Sequence, residues 1–224
     1  MQSRPWLWED AFVLAGHYSA AFLAKAAAPR TPLWLLALAV QLVDVMWAGF
    51  VLLGVERLQI DPSLPSNPLV LEYMPYTHSL LGTLVWAGLA GLAAKRWLGA
   101  RSAAWAVAAA VASHWLLDVI VHRPDLTLWG APPKLGLGIW NFPVPALALE
   151  LGLVIASALG CLRVGAIPAV RRRGVFILIG ALAAVQIGTL LSRPALGPNG
   201  VAVTLLVLVA LVAWGARRVE GEAA

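Results

Sequence analysis

Seven stretches of this chain are apolar for long enough to cross a lipid bilayer, and no other feature constrains its fold as tightly. They run over residues 10–28, 32–54, 78–94, 102–121, 143–162, 174–192 and 200–216. A spanning helix needs roughly 20 mostly apolar residues. In hydrocarbon the backbone must satisfy its own amides and carbonyls, so such stretches fold as helices. The expected fold is all-α: a polytopic helical membrane protein of about seven transmembrane helices, forming one unit over residues 1–224. Composition agrees, with 61% hydrophobic and 12% charged residues against about half and about a quarter in soluble domains. This excludes a disordered chain and nearly all water-soluble enzymes. A single cysteine, Cys161, excludes an internal disulfide and a cysteine-only metal site. The net charge of +5 does not mark a nucleic-acid partner, because the basic residues flank the apolar runs.

Punctuation supports these boundaries. Pro29 and Pro32 bracket the first connection, and Gly197, Pro198, Asn199 and Gly200 make the last turn. The connections 55–77 and 122–142 are longer and proline-rich, and neither reads as a soluble domain. Trp129 and Trp140 are expected to seat the second of them at the membrane interface. Arg4, an apolar run and Ala26-Ala27-Ala28 imitate a signal peptide. Glu9 and Asp10 before the run and Pro29 after it argue for retention of the first helix.

Orientation follows from Lys and Arg. The side that receives the first, third and fifth connections and the C-terminus holds 11 of the 16, among them Lys95, Arg96, the Arg171-Arg172-Arg173 triplet, Arg217 and Arg218. The richer side belongs in the cytoplasm, which puts the N-terminus outside and the C-terminus inside. The arginine triplet reads as a topology anchor beside anionic lipid. The acids and histidines divide the other way, with only Glu220 and Glu222 on the inner side. Helices alternate in direction and rise 1.5 Å per residue. His17, Asp44, His78, His114, Asp118 and Glu150 therefore fall at similar depths below the outer face.

Ionisable groups in hydrocarbon are costly and persist when partners or a metal compensate them. The sharpest local feature is Ser-His114-Trp-Leu-Leu-Asp118-Val-Ile-Val-His122. Its His and Asp, four apart, share one helical face, and His122 extends the stripe. Imidazole nitrogen with carboxylate oxygen is a common set for zinc and other divalent ions. His17, Asp44, His78, His114, Asp118 and His122 are the expected metal ligands. A hydrogen-bonded network without metal remains the alternative for each. Glu150 is a ligand, a proton carrier or a partner of Asn141. Asp61, Glu72 and Asp125 are expected to be solvated loop acids. Gln41, Gln186 and Ser192 read as interhelical hydrogen-bonders.

The order His17, Asp44, Thr77-His78-Ser79-Leu80-Leu81, His114 to Asp118 resembles the bacterial membrane-bound metal-dependent hydrolase family over about the first 125–150 residues. More remotely it is similar to the zinc-dependent phospholipase C family, which continues with H-x-x-x-E; here Ala146 stands four before Glu150. The resemblance implies a multi-pass protein of the bacterial inner membrane and one or two divalent ions, zinc first and manganese second. Its core ligands would be His78, His114 and Asp118, with His17 and Asp44 completing the set.

The functional expectation is metal-dependent hydrolysis of a phosphoester in a lipid or lipid-linked substrate, near the outer face. Asp44 and Glu150 are the expected catalytic proton carriers. Arg123 and Lys134 are expected to hold the anionic headgroup. Membrane lipid is the expected surrounding partner. The site is expected to rest on spans one to five, within about residues 1–150, with 151–224 as additional spans of which the seventh stays open. Two other classes stay open: an ion-coupled transporter, against which the lack of internal repeats and of inner-half acids counts, and a structural membrane protein.

Overall fold

A computed structural model describes residues 15–61, 63–64, 67–191 and 197–221. Arg4, Glu9, Asp10, the start of the first apolar stretch, Ser192, Arg193 and Glu222 lie outside the described residues.

The protein is mostly helical. A 3₁₀ turn, Ala15–His17, leads into α1 (Tyr18–Ala27). Then come α2 (Leu33–Val40), α3 (Leu42–Leu52), α4 (Leu80–Leu98), α5 (Arg101–Val121), α6 (Pro143–Arg163), α7 (Arg172–Leu191) and α8 (Pro198–Glu220). Each apolar stretch is helical in its described part, and the second is broken in two. Three described helices are long and apolar enough to cross a membrane: α5, α6 and α8, with mean hydropathies of 1.7, 1.9 and 2.1. The α2–α3 pair makes a fourth if a helix bent by 52° is one span.

The bend sits at Gln41, whose φ of −105° and ψ of 5° leave the helical region. Its amide bonds to Leu38 O, three residues back, in place of the regular four. The chain also departs from an all-helical fold in its two long connections. In the first, β1 (Arg57–Ile60) pairs antiparallel with β2 (Leu69–Tyr73). In the second, β3 (Leu126–Thr127) pairs with β4 (Lys134–Leu135). Leu58 and Leu71 are partners across the first hairpin and both are buried. An apolar face turned towards the helices thus fixes its register.

The tightest helix pair is α4 with α5. A Cβ on Gly91 would lie 3.0 Å from the Ala108 methyl and 3.1 Å from Ala104 O, so the absence of a side chain lets the two backbones approach. Ser79 caps α4 by accepting from the Gly82 amide at 3.0 Å and donating to Pro75 O at 2.6 Å. The site was expected to rest on the first five spans alone, without α8. Instead α8 packs along α2 and α3. Its Glu220 accepts from the Lys25 ammonium and from the Leu33 amide, joining the end of α8 to the α1–α2 corner.

Candidate metal centre

Four elements bring the expected ligands together. His17 closes the 3₁₀ turn before α1, Asp44 lies in the first turn of α3, and His78 precedes the cap of α4. α5 supplies His114 and Asp118 from one face. His122 stands just beyond the last residue of α5, yet its amide still bonds to Asp118 O at 2.7 Å, so the stripe continues. All four imidazoles and Asp118 are buried.

Their distances describe a cage. His78 Nε2 is 3.3 Å and His114 Nε2 3.5 Å from Asp44 Oδ1. His114 Nε2 is also 3.3 Å from Asp118 Oδ2, and His122 Nε2 is 3.5 Å from Asp118 Oδ1. His17 Nε2 lies 2.9 Å from Asp118 Oδ1. Ligands about 2.0–2.1 Å from a tetrahedral zinc stand about 3.3–3.4 Å from one another. In two triads, His17–His114–Asp118 and Asp44–His78–His114, the ligand atoms all lie within 4.8 Å of one another, and the two share His114.

The outer nitrogens fix the roles of the inner ones. His114 Nδ1 lies 2.8 Å from Val40 O, which can only accept, so Nδ1 carries the proton. Val40 O is available because the helix breaks at Gln41. His78 Nδ1 lies 2.9 Å from Thr77 Oγ1, and that hydroxyl donates to Glu56 Oε2 at 2.6 Å. The hydroxyl therefore accepts from the imidazole. His122 Nδ1 donates to Asp125 Oδ1 at 3.1 Å. Each of these three rings, when neutral, turns its Nε2 lone pair towards carboxylate oxygens. Acceptors facing acceptors need a cation or shared protons between them. A metal-binding imidazole usually has its other nitrogen held in this way by a carboxylate, carbonyl or hydroxyl. The donor set fits a divalent ion: one such charge balances two carboxylates with neutral imidazoles.

A cavity of about 50 Å³ adjoins the cage, lined by His17, Asp44, His78, Asp118 and His122 together with Trp47, Trp140, Asn67, Leu69, Leu71 and, from α8, Leu205. The hairpin strand β2 thus covers the site.

Other expectations fare differently. Glu150 is buried but does not line this cavity: it lies behind His17, its Oε2 accepting from the Gly16 amide at 3.2 Å. Asn141, its suggested partner, accepts instead from Arg123 Nε at 2.8 Å. Arg123 also donates to Asn67 O at 2.9 Å, which ties the cover to the end of α5. Burial lowers its guanidinium below the ordinary value, while Asp125 and Asp61 act in the opposite sense. Lys134 lies exposed on β4, away from the residues that line the cavity. Trp140 is not an interface anchor: it is buried, with its ring 3.9 Å from that of His122, whereas Trp129 is exposed. Asp61 is a turn acid, accepting from the Ser63 amide and hydroxyl, which hold its carboxyl below the ordinary value.

Two residues were missed by sequence reasoning. Asp125 was read as solvated and instead holds His122. Glu56 was seen only as an outer-side acid. It is buried and accepts from the Tyr76 amide, the Thr77 amide and the Thr77 hydroxyl. The available signal was a lone Glu after an apolar run, facing a Thr-His pair across a loop.

No family model, curated protein or solved structure matches this chain.

Proposed function

We propose that this protein is an integral membrane metal-dependent hydrolase acting on a phosphoester of a lipid or lipid-linked substrate. The observation that carries the reading is the convergence of four imidazoles, three with Nδ1 anchored from behind, on two carboxylates whose oxygens lie 2.9–3.5 Å from their Nε2 atoms. His78, His114 and Asp118 are its core ligands, with His17, Asp44 and His122 completing one or two metal positions. Zinc suits this nitrogen and oxygen set, and manganese is the second choice. When bound, the ion supplies Lewis acidity towards a phosphoryl oxygen and acidifies water to near neutrality. Asp44 borders the cavity and is the proton acceptor. Glu150, behind His17 and held by the Gly16 amide, stores a proton. Arg123, at the edge of the cover through its bond to Asn67 O, is the group that meets the anionic headgroup.

The same reading places seven spans in a bacterial inner membrane, α2 and α3 forming one broken span. The N-terminus and the metal centre lie at the outer face and the C-terminus inside. The charge asymmetry of the connections supports that orientation.

The test is elemental analysis of detergent-purified wild type and His114→Ala, followed by a phosphodiester and phosphomonoester screen. One to two zinc or manganese per wild-type chain, lost in the variant, with metal-dependent phosphoester cleavage, is the expected result. Less than a tenth of an equivalent after metal reconstitution overturns it. The 2.9 Å contact between His17 and Asp118 favours a second reading, a metal-free polar network. In that case chelator leaves the melting temperature of wild type unchanged.

A further inference from the structure

A second feature lies away from the metal centre, between the last two helices. α7 and α8 run antiparallel, with Gly174 beside Val219 and Gly215 beside Leu178. A groove of about 430 Å³ opens between them. Its walls are almost wholly apolar, with Ile177, Leu178, Leu182, Leu211 and Trp214 among them, and Ala15 and Gln186 stand at its far end. From Gly174 to Gln186 is 12 residues of α7, about 18 Å at 1.5 Å per residue. That length suits an extended acyl chain.

The two ends of the groove differ in charge. Arg218 lines one end, its guanidinium 5.2 Å from the Trp214 ring. Arg217 adjoins it on α8, Arg172 and Arg173 open α7, and the Arg171 guanidinium packs against Gly221. Among the described residues the acid of this region is Glu220, already engaged by Lys25 and the Leu33 amide. Cationic groups at one mouth of an apolar slot complement an anionic headgroup with its chain in the slot. An exposed tryptophan under an arginine is suited to the headgroup level.

We infer that the α7–α8 groove is a binding site for one anionic phospholipid, with an acyl chain along the groove and its phosphate at Arg218. Positive charge near a membrane end attracts anionic lipid in general. The groove adds a defined seat, so that retention depends on both shape and charge. This site is separate from the metal centre and does not depend on hydrolysis.

The experiment uses the full chain in nanodiscs of equal parts phosphatidylglycerol and phosphatidylcholine of matched chains, with native mass spectrometry of the released protein. Wild type is expected to retain phosphatidylglycerol in preference to phosphatidylcholine. Arg218→Gln should lower that preference about fivefold, the loss expected for one arginine beside an anionic surface, and Arg218→Lys should keep part of it. Ala181→Trp, which fills the groove, should lower retention of both lipids. Raising salt on wild type should erode the preference and needs no variant. Equal retention of the two lipids by wild type, a preference insensitive to salt or to Arg218→Gln, or a lipid-free dimer broken by Ala181→Trp would each overturn the inference.

Discussion

At the scale of single residues, the centre divides into groups that face the cavity and groups that hold them. Sequence reasoning found the first kind, because His and Asp inside apolar runs are conspicuous. It missed most of the second, because Glu56 and Asp125 lie in polar connections where an acid needs no explanation. Their roles depend on how the hairpin and the turn after α5 fold back, and spacing along the chain does not encode that. The two kinds should separate experimentally. His114→Ala or Asp118→Ala should abolish metal binding with expression largely intact, as read by metal content after purification. Glu56→Ala should leave the ligands present but loosen His78 through Thr77. Metal affinity should then fall about 10–100-fold, the usual cost of losing a group that orients a ligand from behind, measured by competition with a chelating dye. An affinity equal to wild type would show that Thr77 holds the ring unaided.

At the scale of elements, every apolar stretch read from the sequence is a helix in its described part, since long apolar runs leave the backbone little choice. The break at Gln41 was not legible: Leu-Ala-Val-Gln-Leu-Val contains neither glycine nor proline. The break frees Val40 O for His114 and starts α3 just before Asp44. The hairpins were hidden as well, because four prolines in the first connection suggested plain loop. Two predictions belong here. Gly82→Ala would put a Cβ 2.5 Å from Tyr76 O. The segment carrying His78 must then shift, and metal affinity should fall even though no ligand is altered. Gly91→Val, far along the same helix from His78, should overpack the α4–α5 contact and cost about 1–3 kcal/mol. Thermal unfolding in detergent should show the loss, with metal stoichiometry unchanged.

At the scale of the molecule, the ligands come from α1, α3, α4 and α5 and the stretches that adjoin them, so a bound ion cross-links the bundle. Metal removal should lower the melting temperature. At an ion concentration about 100 times Kd the stabilisation is about 2.7 kcal/mol. His114→Ala should melt at the same temperature with or without chelator. Orientation can be read in a Cys161→Ser background by placing single cysteines at Lys134 and Arg96. A membrane-impermeant thiol reagent added to intact cells should label the first position and spare the second. The opposite pattern would invert the proposed orientation.

The clasp between Glu220 and the Lys25–Leu33 corner bears on biogenesis. α8 is made after the helices that carry the ligands, yet it braces α2 and α3, which carry the Val40 carbonyl and Asp44. A nascent chain halted before α8 already owns every ligand but lacks the buttress that keeps two of these supports in place. Under the proposed metal reading, ion capture is therefore expected to await the synthesis and insertion of α8.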